Sequence, residues 1–131
     1  MQTELTDDQF LHAFHSCQLP KEQFTNTAHF RLAWLHVHRE PLSEAEERVR
    51  AGIQAYAAHL GATAKYHETI TVAWVRLVAT HREASFDEFL RLHQARLNLS
   101  TLHRFWSREL LASEQARREW VAPDLAELPT A

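Results

Sequence analysis

Two glycines, Gly52 and Gly61, are all that this 131-residue chain contains, and that scarcity constrains its fold more than any other feature. Hairpins and tight turns draw on positive-φ positions, which glycine fills at least cost, so a turn-rich β architecture is poorly served. Helices need such a position only at their C-terminal stop. The apolar residues follow the helical alternative. Thr6-Asp7-Asp8-Gln9 is a capping box with acids in the first turn, and Phe10, Leu11, Phe14 and Cys17 follow it at helical spacing.

Further helices are predicted along the rest of the chain. Pro20 interrupts, and Pro20 to Phe24 is predicted as a single turn. Asn26 or Thr27 is predicted to cap a helix through about His38, with Phe30, Ala33, Trp34 and Val37 on one face. Glu40-Pro41-Leu42 ends it. Ser43-Glu44-Ala45-Glu46 is a second capping box, opening a helix that carries Val49, Ile53, Tyr56 and Leu60, with Gly61 as its stop. The next helix is predicted from about Ala64 to Thr80. A third box, Ser85-Phe86-Asp87-Glu88, leads to Phe89, Leu90, His93 and Leu97. After the connection Asn98-Leu99-Ser100 come shorter pieces capped by Ser107 and Ser113, with Trp120 near the last turn. From Ala122 the tail reads as extended, with Leu125 and Leu128 packing back. The chain is thus predicted to be a single all-α domain, 1–131: a compact bundle of four to five helices with short C-terminal helices and an extended tail. Short loops make neighbours antiparallel, so the helices at 27–38 and 64–80 should run parallel and begin at the same end.

Composition narrows the function classes. A net charge of −3 with scattered basic residues gives no electrostatic reason to bind nucleic acid. No apolar run reaches the roughly 20 residues that span a bilayer, and no membrane partner is expected. Met1 to Asp8 is acidic and polar, the opposite of a secretory signal. The one cysteine, Cys17, excludes an intramolecular disulfide framework and reads as an inert buried thiol, which fits a cytoplasmic setting.

Lys65-Tyr66-His67-Glu68-Thr69-Ile70-Thr71 concentrates the chemistry, since it runs directly into the apolar Val72 to Ala79. Burying such groups costs several kcal/mol unless each finds a partner. With two parallel helices starting together, Asn26, His29, His67, Glu68 and Thr71 can form one site. Its leading reading is a small-molecule site with acid–base chemistry. His67 would be the proton acceptor, Glu68 would orient it, and His29 would be the second polar contact. Tyr66, Thr71, Asn26 and Lys65 would hold the ligand, and Trp34 and Trp74, packed near each other, would wall the pocket with Phe30 and Phe24. Adjacent helical residues project about 100° apart, so His67 and Glu68 cannot both aim at one point from an ideal helix.

Two alternatives use the same residues differently. A divalent metal held by His29, His67 and Glu68 would be a two-His, one-carboxylate set. His-Glu-x-x-His and Glu-x-x-His are both absent at the motif. A helical adaptor for a protein partner would have no cavity at all. Of the other histidines, His12, His15, His59 and His81 read as surface or helix-end residues. His36 and His38 face different ways, and His93 and His103 read as core-edge groups.

Phe24-x-x-x-x-His29-x-x-x-Ala33-Trp34-Leu35, the Lys65 to Thr71 block, Phe105-Trp106-Ser107-x-x-x-Leu111-x-Ser113-x-x-Ala116-Arg117 and Pro123-Asp124-Leu125-x-x-Leu128-Pro129 belong together in one further respect. In this combination the chain resembles a family of small bacterial helical proteins of unassigned function, from about Phe24 to Pro129. The resemblance implies a unit and a set of positions, with no activity attached. That family often has a second histidine where this chain has Asn26, a poorer metal ligand but a competent hydrogen-bond partner. Arg117 reads as a partner for Asp124 or Glu119.

Overall fold

A computed structural model describes residues 5–130, so the Met1–Glu4 part of the acidic start lies outside the described residues. Among the described residues eight α-helices carry the fold: α1 Asp7–His15, α2 Asn26–Arg39, α3 Leu42–His59, α4 Glu68–Ala79, α5 Phe86–His93, α6 Leu99–Leu102, α7 Arg108–Leu111 and α8 Glu114–Arg118. Single 3-10 turns at Lys21–Gln23, Thr63–Lys65 and Gln94–Arg96 join them. No strand occurs among the described residues. The all-α class and the bundle of five longer helices with short C-terminal ones match the sequence expectation.

Helices α2, α3 and α4 pack mutually, α1 lies on α3, α5 crosses α2, and α8 lies on α4. Asn26 and Thr71, near the starts of α2 and α4, line one cavity, and Phe30 meets Trp74 edge to face about a turn further on. The two helices therefore run parallel, as the short loops predicted. Helix α4 separates two cores. Val75 and Val78 face the larger one with Phe14, Phe30, Leu32 and Phe89, whereas Ala73 joins Leu102, Trp106 and Leu111. Burial on two sides explains why Val72–Ala79 is apolar nearly all round. Each large apolar side chain removed from water in this way contributes about 1.5–3 kcal/mol.

Several starts and stops differ from the sequence expectation. The capping box at Thr6 forms as predicted. Thr25, rather than Asn26 or Thr27, caps α2: its hydroxyl accepts the Ala28 N–H. At α3 the expected Ser43 box does not form. The helix begins at Leu42, directly after Pro41, so Ser43 already lies inside it. The helix expected from Ala64 starts only at Glu68, with His67 as its cap, and α5 ends at His93, short of Leu97. Cys17 sits past the end of α1 at φ +61°, half-buried outside any helix.

Ser107 and Ser113 do cap α7 and α8. The tail docks through polar contacts. The Trp106 indole N–H donates to the Val121 carbonyl at 3.0 Å, and Asp124 accepts the Ser107 N–H at 2.7 Å. Leu128 packs back as expected, but Leu125 is exposed and is held by its own N–H on the Phe105 carbonyl. Arg117 pairs with Glu114 and reaches the Ala64 carbonyl, not Asp124 or Glu119.

Candidate functional site

The start of α4 is held by its own polar residues. His67 Nδ1 accepts the Ile70 N–H at 3.1 Å, and Nε2 donates to the Leu111 carbonyl at 2.8 Å. Those bonds require the neutral imidazole with its proton on Nε2. Burial lowers the His67 pKa, in keeping with that form. Both nitrogens are engaged, so no lone pair is left for a metal or a proton. Glu68 is engaged in the same way. Oε1 accepts the Tyr66 hydroxyl at 2.6 Å and Oε2 accepts Arg50 Nε at 2.6 Å, while Arg50 also pairs with Glu47. Burial, and then the bond to Glu68, push the Tyr66 hydroxyl well above its ordinary range. Thr71 donates back to the His67 carbonyl.

Part of the two-helix constellation does come together. Asn26, His29, Thr71 and Trp74 line a cavity of about 210 Å³ between the starts of α2 and α4. His29 stacks on Phe24 and donates from Nδ1 to the Thr25 carbonyl at 2.9 Å, which leaves Nε2 as an acceptor. The Asn26 amide donates to the Leu97 carbonyl. His67 and Glu68 are not among the residues lining this space. Lys65, exposed, and Tyr66 line a separate groove on which His29 also borders. Trp34 does not pair with Trp74 as expected. It packs against Phe89 and His38 near α5, while Trp74 packs against Phe30.

A different cluster lies at the opposite end of α4. His81 follows the Thr80 cap, Glu83 sits in the loop before α5, and His93 is the last residue of α5. Phe89 and His93 are four apart on one face of α5. The His81 ring stands edge-on to Phe89 and 4.4 Å from the His93 ring, centre to centre. His93 Nε2 lies 3.2 Å from Glu83 Oε2, and His81 Nδ1 lies 3.5 Å from Oε1. One ligand atom from each residue falls within 4.8 Å of the others. The second of those contacts is too long for a hydrogen bond. Glu83 Oε1 is therefore a buried carboxylate oxygen with no donor. Such an atom is costly unless something cationic meets it. Burial alone would raise the Glu83 pKa, but the hydrogen bond from His93, then the Glu83 backbone N–H and the two neighbouring rings, outweigh it and hold the carboxyl below its ordinary value. Burial and then His93 lower His81.

His81 and His93, though not Glu83, line a cavity of about 350 Å³ walled by Trp74, Leu77, Phe89 and Phe105, with Arg96 and Arg104 also on its lining. Trp74 and Leu97 separate it from the smaller cavity, since both residues line both spaces. Sequence reasoning assigned His81 to a helix end and His93 to a core edge. The signal present in the chain was His81-x-Glu83 just ahead of a capping box, with His93 one turn beyond the buried Phe89.

One other histidine group has different geometry. His15 Nε2 lies 3.0 Å from His36 Nε2, and His36 Nδ1 lies 2.9 Å from Glu40. His36 turns one nitrogen to each neighbour, which makes a proton-sharing chain rather than donors converging on one point. Gly52 makes room for it, because a Cβ there would come within 2.9 Å of the His15 ring.

No family model, curated protein or solved structure matches the chain. Among the described residues no helix is long and apolar enough to cross a membrane.

Proposed function

We propose that the chain is a metal-dependent small-ligand-binding protein, with a divalent transition-metal ion held by His81, Glu83 and His93 at the mouth of the larger cavity. The observation that carries this reading is the buried, donorless Oε1 of Glu83 between two imidazoles. Zinc bonds to nitrogen and carboxylate oxygen are about 2.0–2.2 Å, so tetrahedral donors lie roughly 3.4 Å apart. His93 Nε2 lies 3.2 Å from Glu83 Oε2 and His81 Nδ1 lies 3.5 Å from Oε1, near that spacing, and one ligand atom from each residue falls within 4.8 Å of the others. Two histidines and one carboxylate are a set found at zinc and non-haem iron centres that keep an open position. On binding, His93 Nε2 would give up the proton it now shares with Glu83. A Zn²⁺ titration of the full chain, purified without an affinity tag, tests the reading. One equivalent should bind, and His93→Ala should weaken it by at least about a hundredfold. Absence of stoichiometric binding, or equal binding by that variant, would contradict the reading.

The smaller cavity supports a second reading, the small-molecule site expected from sequence. Asn26, His29 and Thr71 border it, and His29 Nε2 is a free acceptor among the described residues. His67 and Glu68 do not line it, and their polar atoms bond elsewhere in the fold. A compound screen read by thermal shift, with His29→Ala as the control, tests this reading. Hits that bind the variant equally well would sink it.

A further inference from the structure

Three protein donors leave the proposed ion an open coordination position. What meets that position is decided by the cavity. Its walls are largely apolar, formed in part by Trp74, Leu77 and Phe105. Its charged side chains are Arg96, on the 3-10 turn that immediately follows His93, and Arg104, just beyond α6. Eight of the chain's arginines are ion-paired with carboxylates. Among the described residues Arg96 and Arg104 have no such partner.

The charge balance points one way. The lining carries two guanidinium groups and no carboxylate, and the one carboxylate beside the ion, Glu83, lies off the lining, so with a divalent ion in place the cavity carries excess positive charge. A ligand entering there needs an anionic head to meet the ion and the arginines, and an apolar body to displace water from the aromatic wall. A guanidinium meets a planar carboxylate with two parallel N–H bonds. At about 350 Å³ the space is at the lower end for small-molecule sites, so the body is compact. We infer that the cavity takes a small monocarboxylate with an aromatic or short apolar body, its carboxylate shared between the ion bound by His81, Glu83 and His93 and the guanidinium groups of Arg96 and Arg104.

This carboxylate site rests on the metal reading above, yet the two fail separately. Benzoate and acetate serve as probes in calorimetric titrations of the full chain, with and without one equivalent of Zn²⁺. Benzoate should bind the Zn²⁺-loaded chain one to one, about tenfold more tightly than acetate because of its ring. Removing Zn²⁺ should weaken benzoate, and Arg96→Ala or Arg104→Ala should each weaken it by about tenfold while Zn²⁺ affinity holds. Both arginines are exposed, so the variants should melt like the parent, and the lysine variants should recover part of the loss. If Zn²⁺ binds but benzoate does not, or if benzoate binds both arginine variants as well as the parent, the carboxylate site is wrong and the metal site stands. Equal affinity for benzoate and acetate overturns the apolar body. Failure to bind Zn²⁺ overturns both.

Discussion

His67 and His93 are both hydrogen-bonded imidazoles at helix ends, but only one is free to exchange its partner for an ion. His67 caps α4 with one nitrogen and ties α7 to it with the other. Replacing it with alanine removes a helix cap, worth about 1 kcal/mol, and strands the Leu111 carbonyl. His67→Ala is therefore expected to lower stability by about 2 kcal/mol in urea melts while leaving Zn²⁺ affinity unchanged. A stable variant that no longer binds Zn²⁺ would reverse that assignment. His93 donates to a carboxylate that has a spare, unsatisfied oxygen, and so it loses little by turning to a cation. Polarity beside an apolar run was legible in the sequence at Lys65–Thr71. Whether those groups would be consumed by the fold was not, because the partner of His67 lies 44 residues further on. The other polar triad was hidden for a related reason. His81 and Glu83 are near neighbours in the chain, but His93 joins them only through the path of the loop and α5.

Helix positions were legible to within a few residues, and the errors cluster at caps. Thr25-Asn26-Thr27 offers three capping side chains in a row, and Thr25 takes the cap where Phe24 and Ala28 both pack into the core. Gly61 is the stop that its place in the sequence marks: it sits at φ +67°, with open space where a side chain would begin. Gly61→Ala should thus cost about 1 kcal/mol, purely from the backbone, in the same melts. A neutral result would mean the α3 stop relaxes to another conformation. How the C-terminal segment docks was less visible, because it rests on contacts distant in sequence, a buried hydroxyl among them. Thr69 donates to the Glu119 carbonyl and accepts the Val121 N–H. Thr69→Val keeps the shape but orphans both backbone groups, so it should cost about 2 kcal/mol. Amide exchange at Val121 should quicken in that variant. Unchanged protection there would show that the tail is held by its other contacts, at Trp106, Asp124, Leu125 and Leu128, without Thr69.

Taken as a whole, the molecule keeps several imidazoles neutral inside or against its cores, and that sets its response to acid. Burial, then His36 and Arg48, lower the His15 pKa below 6.5, with Glu40 opposing; burial chiefly lowers His67. Below the unfolded value of about 6.5 the unfolded chain binds more protons than the native one, so stability falls as the pH drops. Above that value the contribution is fully present. Urea midpoints should accordingly be lower at about pH 5.5 than at about pH 7.5, and a flat or rising trend toward acid would contradict the neutral assignments. The same architecture sets α4 between two chemically distinct ends: a start whose polar groups are satisfied within the fold, and a finish where His81, Glu83 and His93 converge beside a cavity. Anomalous diffraction at the zinc edge from Zn²⁺-soaked crystals tests that division most directly. One strong peak bounded by His81 Nδ1, the Glu83 carboxylate and His93 Nε2 is the predicted result. A peak at His29 and His67, a peak at the His15–His36–Glu40 chain, or no ordered peak at all would contradict it.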